Sequence, residues 1–160
     1  MPIDKIKGRN EIRKIIDELR CQGKKTAFTN GCFDILHYGH VKYLSEAKQK
    51  ADILVVGLNS DASVRRIKGS LRPVNKQLDR ARVLSALSCV DFVAIFNEDT
   101  PLQLIKFLKP DVLIKGGDWK PEEIIGADFV KAHGGRVLSI PYLKGYSTSK
   151  LIEQISLKGG

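Results

Sequence analysis

The sequence predicts an α/β protein built on a doubly wound parallel sheet of five strands, with helices on both faces and an extra N-terminal helix. Short apolar runs alternate with amphipathic segments along all 160 residues. The run DILVVGL at 52–58 is apolar throughout, which is typical of a strand that helices cover on both faces. Because strands alternate with helices, we expect parallel neighbours joined by right-handed crossovers.

Each helix is predicted from apolar residues at helical spacing and from residues that favour helix ends. Ile12, Ile15, Ile16 and Leu19 share one face of a first helix that Asn10 caps. The predicted helices cover residues 10–20, 38–49, 62–67, 76–89, 100–109, 122–132 and 147–155. The predicted strands cover residues 25–30, 52–58, 91–96, 111–116 and 136–141, an alternation typical of Rossmann-like domains.

Two helix starts in this series carry particular signals. Thr100 and Gln103 form a capping-box pair, and Pro101 takes the first helical position, where an N–H group is not needed. Asp61 is placed to cap the short helix over 62–67.

Length and composition favour one compact domain with a core of its own. Within it we predict an N-terminal helical extension over 1–23 and a main domain over 24–160. No apolar window approaches the roughly 20 residues that cross a bilayer, and the N-terminus lacks an apolar signal core. The three cysteines lie far apart, so we expect reduced, mostly buried thiols in a cytoplasmic protein.

The formal charge is +9, from 27 Lys and Arg against 18 Asp and Glu. This charge indicates which classes of ligand the protein can bind. Such an excess suits nucleic acid, an anionic membrane or a small polyphosphate ligand. The basic residues are dispersed, however, and no aromatic-rich RNA-binding motif, zinc-finger spacing or basic arm accompanies them. We therefore expect small anionic substrates, with neither a nucleic-acid nor a membrane partner.

The stretch TNGCFDILHYGH holds two of the three histidines and leads from the first strand into the second helix. Outward-facing amides and the helix dipole favour phosphate there. His37 and His40 could donate to phosphate oxygens, most strongly when protonated, while Gly39 would let a phosphate approach the backbone. Other interpretations stay open at this point: structural histidines, a zinc site completed by Cys32 and His133, or a catalytic thiol at Cys32.

Three further strand ends carry groups suited to phosphate. GLNSD precedes a loop with the cations Lys68 and Arg72, and KGGDW offers exposed amides in a tight turn. GYSTS opens the last helix with amide and hydroxyl donors. Each segment alone is explained by capping or surface charge, but four of them on one face favour a phosphate site. The sequence has no evident nucleophile–base pair, and phosphoryl-type transfer needs none.

The motifs NGCFDILHYGH, GLNSD, KGGDW and GYSTS resemble, in this order, those of the cytidylyltransferase-type nucleotidyltransferases. The resemblance runs from about Lys24 to Ile155. Within that superfamily, the run from NSDASVRRIKG to LKPDVLIKGGDW looks most like the adenylyltransferases of bacterial heptose activation. It implies transfer of AMP from ATP to D-glycero-β-D-manno-heptose 1-phosphate by a stand-alone enzyme, giving pyrophosphate and ADP-heptose for the lipopolysaccharide inner core.

The same resemblance implies roles for individual residues. His37, His40 and Lys68 would be catalytic. Nucleotide binding would involve Asn30, Gly31, Phe33, Gly39, Lys115, Gly116, Asp118, Ser147, Thr148 and Ser149. Acceptor binding would involve Asp34, Asp61 and Arg72. A magnesium ion would be held mainly by substrate phosphates, without assigned protein ligands, and the protein would be a homodimer.

One departure from the family pattern bears on the nucleobase. Glycerol-phosphate cytidylyltransferases carry RTEGIST where this chain has YLKGYST, so Tyr142 opens the segment and the arginine is missing. The change favours adenine over cytosine. Glycerol, ethanolamine, flavin and pantetheine phosphates stay open as acceptors, as does a nucleotide- or nucleic-acid-binding module without turnover.

Overall fold

A computed structural model describes residues 2–159 and confirms the doubly wound α/β fold. Its five strands are all parallel, in the order β3-β2-β1-β4-β5. They are β1 (Thr26–Gly31), β2 (Ile53–Asn59), β3 (Phe92–Phe96), β4 (Val112–Gly116) and β5 (Arg136–Ile140). Because the order reverses between β1 and β4, the ligand crevice is expected beyond the carboxyl ends of these two strands.

The helices cover both faces of the sheet. The described residues form α1 (Arg9–Cys21), α2 (Tyr38–Lys48), α3 (Asp61–Lys68), α4 (Gln77–Ser85), α5 (Leu102–Leu108), α6 (Ala127–Ala132) and α7 (Thr148–Lys158). Short 3₁₀ turns lie at Pro2–Lys5 and Pro121–Glu123. None of the helices in 2–159 is long and apolar enough to cross a membrane.

Two apolar layers sandwich the sheet and form the core. Leu44 of α2 and Leu84 of α4 are fully buried in one layer. Ile16 of α1, Ile105 of α5 and Val130 of α6 are buried in the other. The N-terminal helix therefore packs its apolar face into the same core as the helices of the alternating series.

Two helices near the sheet begin differently from the prediction. Helix α1 starts before Asn10, because Gly8 is the N-cap and the Glu11 carboxylate accepts the Gly8 N–H at 3.2 Å. Helix α3 is capped by the hydroxyl of Ser60, so Asp61 is its first residue and not its cap.

Three other predicted helix boundaries are also wrong. The Pro101 carbonyl accepts the first intrahelical bond of α5, from the Ile105 N–H at 2.9 Å, and this leaves Thr100 outside the helix. The helix predicted over 122–132 is divided, because Gly126 adopts a left-handed φ of +89° just before α6. Helix α4 ends at Ser85, four residues early.

A buried arginine joins the carboxyl ends of β1 and β2. Arg80 of α4 is 2% exposed, and its Nη1 donates to the Cys32 carbonyl at 2.6 Å and to the Asn59 carbonyl at 2.9 Å. Its Nε donates to the Asn75 carbonyl at 3.0 Å, and Nη2 donates to the Asp61 carboxylate at 2.9 Å. One guanidinium thus fixes the loop after β1, the start of α3 and the loop before α4 relative to one another.

Replacing this arginine should destabilise the fold strongly. Arg80→Met leaves buried carbonyls without donors and Asp61 without its partner, so we expect the free energy of unfolding to fall by about 3–5 kcal/mol. Arg82→Met is the matched control on the same helix, because Arg82 is exposed and its ion pair is with Asp79 at the surface. Its cost should stay within about 0.5 kcal/mol. Urea unfolding measures both, and equally small costs would contradict the assignment.

Candidate active site

A cleft of about 490 Å³ opens beyond the carboxyl ends of β1 and β4. Most residues predicted for the site line it: Asn30, Gly31, Phe33, Asp34, His37, Gly39, His40, Lys68, Arg72, Lys115, Gly116, Ser147, Thr148 and Ser149. Asn59, from GLNSD, lines it as well, so segments of all four sequence motifs meet in one cavity.

Two predicted site residues lie outside this cleft. The carboxylate of Asp61 is bound to Arg80, and Asp61 borders a separate groove beside Arg65 and Lys76. Asp118 is exposed in the turn after β4 and is not among the cleft residues. The structure therefore places neither carboxylate in the cleft with the other predicted site residues, and the roles of Asp61 toward the acceptor and of Asp118 toward the ribose stay predictions.

The two histidines form a stacked pair at the N-terminus of α2. His37 is the N-cap, and the centroids of its ring and the His40 ring are 3.9 Å apart. The backbone N–H of His37 donates to Nδ1 of His40 at 3.4 Å. A neutral His40 therefore carries its proton on Nε2, which makes this atom the hydrogen-bond donor of the ring.

Both histidines are held neutral near pH 7 by their surroundings. Burial and, to a smaller extent, the charge of the neighbouring His37 together lower the pKa of His40 to about 4. Burial also lowers the pKa of His37. The two rings are therefore neutral N–H donors near pH 7 and do not have the stronger donor capacity of protonated imidazoles.

Phe33 adopts a strained backbone conformation next to this pair. Its φ of +44° lies in the left-handed region, which residues other than glycine rarely enter. The ring is edge-on to His40, with centroids 5.4 Å apart, and it covers Gly31 so closely that a Cβ there would lie 2.8 Å from Phe33 Cε2. Strain of this kind concentrates at functional sites, and here it places an aromatic wall behind His40.

The space beside Gly39 is filled by protein atoms. A Cβ at this position would lie 2.9 Å from the Tyr146 Cβ and 3.0 Å from Nδ1 of His37. The missing side chain of Gly39 makes room for Tyr146, while the approach of a phosphate to the Gly39 backbone stays a prediction. The GYSTS segment thereby packs directly against HYGH.

Asp34 binds the loop that forms one wall of the cleft. Its buried carboxylate accepts from Arg72 Nε at 2.7 Å and from the backbone N–H groups of Val74 and Asn75 at 2.8 Å each. Burial alone would raise the pKa of Asp34, but these donors outweigh it and hold the pKa below its ordinary value. Both carboxylate oxygens are engaged, so Asp34 positions the loop that carries Arg72 and does not offer a free acceptor to a substrate.

Three cations face the cleft. Lys68 ends α3, Arg72 follows it, and Lys115 lies on β4. Lys68 and Lys115 line the same cleft, and burial together with the charge of Lys68 lowers the pKa of Lys115. Lys115 Nζ also lies 5.8 Å from the centroid of the Trp119 ring, within cation–π range. An anion of high charge would relieve this mutual repulsion.

The start of α7 also contributes to the site. Ser147 is its N-cap and accepts the Lys150 N–H at 3.2 Å, while Thr148 Oγ1 donates to the Ile35 carbonyl at 3.3 Å. The hydroxyls of this segment thus anchor the helix, and the amides of its first turn lie at the cleft. Two helix N-termini, those of α2 and α7, therefore converge on one cavity.

Sequence reasoning missed several cleft residues. Tyr142 lies against the glycines after β4, where a Cβ on Gly116 would be 2.7 Å from the Tyr142 ring. Asp99 and Thr100 line the cleft from the loop after β3. The departure at YLKGYST was a signal for Tyr142, whereas Thr100 looked like an ordinary helix start and no sequence signal pointed to Asp99.

The alternative chemistries find no support in this geometry. Within 2–159, no three His, Cys, Asp or Glu side chains cluster in a way that could hold a metal ion. Burial raises the pKa of the Cys32 thiol, so it remains protonated near neutral pH and is a poor nucleophile. All three cysteines are free, but Cys21 is exposed and the others are only partly buried, so the prediction of buried thiols was wrong.

Comparison with known proteins shows the family to which this chain belongs. Residues 28–154 match the sequence model of the cytidylyltransferase-like family. The chain belongs to this family. It is 54% identical, over 94% of its length, to the bifunctional protein HldE of Geobacter metallireducens, of which it covers 31%. The chain thus spans about a third of the length of the curated relatives it matches.

Two solved structures show the same arrangement of elements. The lipopolysaccharide core biosynthesis protein of Thermoplasma volcanium is 30% identical, with a TM-score of 0.61, over 78% of this chain and 100% of that one. Pantoate–β-alanine ligase of Francisella tularensis, solved with β,γ-ATP and β-alanine, has a TM-score of 0.60 over 96% of this chain and 76% of that one. At 16% identity it is similar in fold alone.

Acid titration should reveal the neutral state of His40. Folding lowers its pKa from 6.5 to about 4, so between these values the unfolded chain binds a proton that the folded chain does not. The stability gained is complete above about pH 6.5 and is lost as the pH falls through the folded value. The free energy of unfolding of His40→Gln should therefore fall less between about pH 7 and pH 4.5 than that of the parent. Identical pH dependence in urea unfolding would rule out a neutral, buried ring.

Proposed function

We propose that this chain is an adenylyltransferase that joins ATP and D-glycero-β-D-manno-heptose 1-phosphate to give ADP-heptose and pyrophosphate. One cleft brings together two helix N-termini, the stacked rings of His37 and His40, and the cations Lys68 and Lys115, and this convergence carries the proposal. Such a cavity suits a ligand with several phosphates. Similarity to HldE and to a lipopolysaccharide core biosynthesis protein supports the choice of acceptor.

The reaction is a direct in-line displacement. An oxygen of the sugar 1-phosphate attacks the α-phosphorus of ATP, a new P–O bond forms, and the bond to the bridging oxygen breaks as pyrophosphate leaves. The attacking phosphate oxygen carries no proton, so no general base is required. This fits a cleft whose histidines are neutral and whose Cys32 is protonated.

The residues of the cleft act by positioning and by stabilising charge. Nε2–H of His40 would donate to oxygens of the transferring phosphoryl group, with His37 stacked beside it. Lys68 and Arg72 would hold the acceptor phosphate, and Lys115 would neutralise negative charge on the nucleotide. The amides at the start of α7 would bind the departing β- and γ-phosphates.

A magnesium ion would reach this site with ATP. The described chain offers no cluster of His, Cys, Asp or Glu ligands, and the carboxylate of Asp34 is already occupied by three donors. We therefore propose that phosphate oxygens and water supply its coordination sphere, as is usual for magnesium. The dispersed positive charge supports small anionic substrates over nucleic acid. The homodimer and the cytoplasmic location stay predictions.

The substrate pair can be tested by pyrophosphate release. We expect rapid release with ATP and heptose 1-phosphate, and little with GTP, CTP or UTP, because the cleft presents Tyr142 where cytidylyltransferases of the resembled type carry arginine. Glycerol 3-phosphate and ethanolamine phosphate serve as competing acceptors. A preference for CTP with glycerol 3-phosphate would replace the proposal with a cytidylyltransferase. Salt-sensitive DNA or RNA binding without pyrophosphate release would replace it with a binding module.

The histidine pair should be needed for turnover and not for folding. His37→Ala and His40→Ala each remove a donor to the transferring group, so we expect kcat to fall at least tenfold, toward the 10²–10³-fold typical of such donors, about 2.7–4 kcal/mol. His133→Ala is the matched control, because His133 lies at the end of α6 outside the cleft. Circular dichroism checks folding, and near-parental turnover in both cleft variants would refute the assignment.

A further inference from the structure

The cleft extends past the transfer site to the carboxyl end of β3. There it is lined by Asp99, Thr100 and Pro101, with Ile67 of α3 also on the wall. This arm lies on the β2–β3 side of the sheet, whereas Lys115 lies on the β4 side. The arm therefore extends away from the nucleotide end of the cleft, on the side where an acceptor would lie.

The loop that carries Asp99 is fastened to α3. The Ser60 hydroxyl bonds to Asn97 Oδ1 at 2.6 Å, and the Ser63 hydroxyl donates to the Glu98 carbonyl at 2.8 Å. Arg66 Nε donates to Asp99 Oδ1 at 2.6 Å. Because α3 also ends in the cleft residue Lys68, this one helix positions the backbone segments that carry Asp99 and Lys68.

Asp99 supplies the carboxylate that the acceptor site otherwise lacks. Asp34 lines the cleft but is buried with both oxygens engaged, and Asp61 and Asp118 lie outside it. The side chain of Asp99 is 63% exposed, and among residues 2–159 only Arg66 binds it, through Oδ1. Oδ2 is thus available to a ligand.

We infer that Asp99, with the hydroxyl of Thr100, binds hydroxyl groups of the acceptor and selects a sugar phosphate over the phosphate of a small alcohol. The inference rests on the proposed function. A carboxylate accepts short, strong hydrogen bonds from hydroxyls and repels phosphate. The acceptor phosphate is therefore directed to Lys68 and Arg72, and the polyol end to Asp99. A small alcohol phosphate offers fewer hydroxyl groups to Asp99, so it gains fewer of these charge-assisted hydrogen bonds than a sugar phosphate does.

The test measures the two Michaelis constants separately. Asp99→Asn keeps the shape of the side chain and removes its charge, so KM for heptose 1-phosphate should rise about tenfold. KM for ATP should not change. A general loss of structure would instead alter both KM values. Glu98→Gln is the matched control, because Glu98 pairs with Arg9 and lies outside the cleft. Its two KM values should equal those of the parent.

A series of deoxy acceptors makes the test specific. The penalty of Asp99→Asn should shrink to near unity for the deoxy heptose 1-phosphate that lacks the hydroxyl bound by Asp99. An equal penalty for every deoxy acceptor, or an unchanged KM for heptose 1-phosphate, would overturn the inference while leaving the proposed function intact. Failure of the parent chain to release pyrophosphate with heptose 1-phosphate would overturn the proposed function itself.

Discussion

The geometry of the cleft depends on the buried guanidinium of Arg80. Parallel strands end in carbonyls that leave the ladder, and here the carbonyls of Cys32 and Asn59 both accept from Arg80. The same group binds Asp61 at the start of α3 and the Asn75 carbonyl before α4. Because a buried cation is tolerated only when its donors are satisfied, the strand ends and both helices must adopt one arrangement together. The positions of the cleft cations and of the histidine loop therefore depend on the contacts of Arg80.

The net charge of the cleft depends on which of its titratable side chains are buried. Burial keeps His37 and His40 neutral, so they can donate hydrogen bonds without adding charge to a site that already holds Lys68, Arg72 and Lys115. The buried carboxylate of Asp34 is paired with Arg72 and accepts from two backbone amides, so Lys68 and Lys115 are the cleft cations that form no salt bridge within residues 2–159. The result is a net positive cavity whose preorganised donors suit a ligand with several phosphates.

Close packing over glycines joins segments that are far apart in the chain. Tyr146 packs over Gly39, which fastens the start of α7 to the start of α2. Tyr142 packs over Gly116 and Gly117, which fixes the segment before α7 against the end of β4. Any side chain at these glycines would displace a ring. The N-termini of α2 and α7 at the cleft are thus positioned by aromatic contacts together with hydrogen bonds such as that from Thr148 to the Ile35 carbonyl.

The sequence by itself determined the alternation of strands and helices, and with it the face on which the motifs meet, because periodicity and strand-end chemistry are local properties. It also identified most of the residues that line the cleft. It did not determine which polar side chains are free. Asp34 and Asp61 looked like acceptors for a substrate, and only the tertiary structure showed that Arg72 and Arg80 occupy them. Thr100 looked like a helix cap, and only the Pro101 carbonyl bond placed it in the cleft beside Asp99. The physical reason is that the availability of a charge depends on partners distant in sequence, such as Asp61 and Arg80, which folding alone brings together.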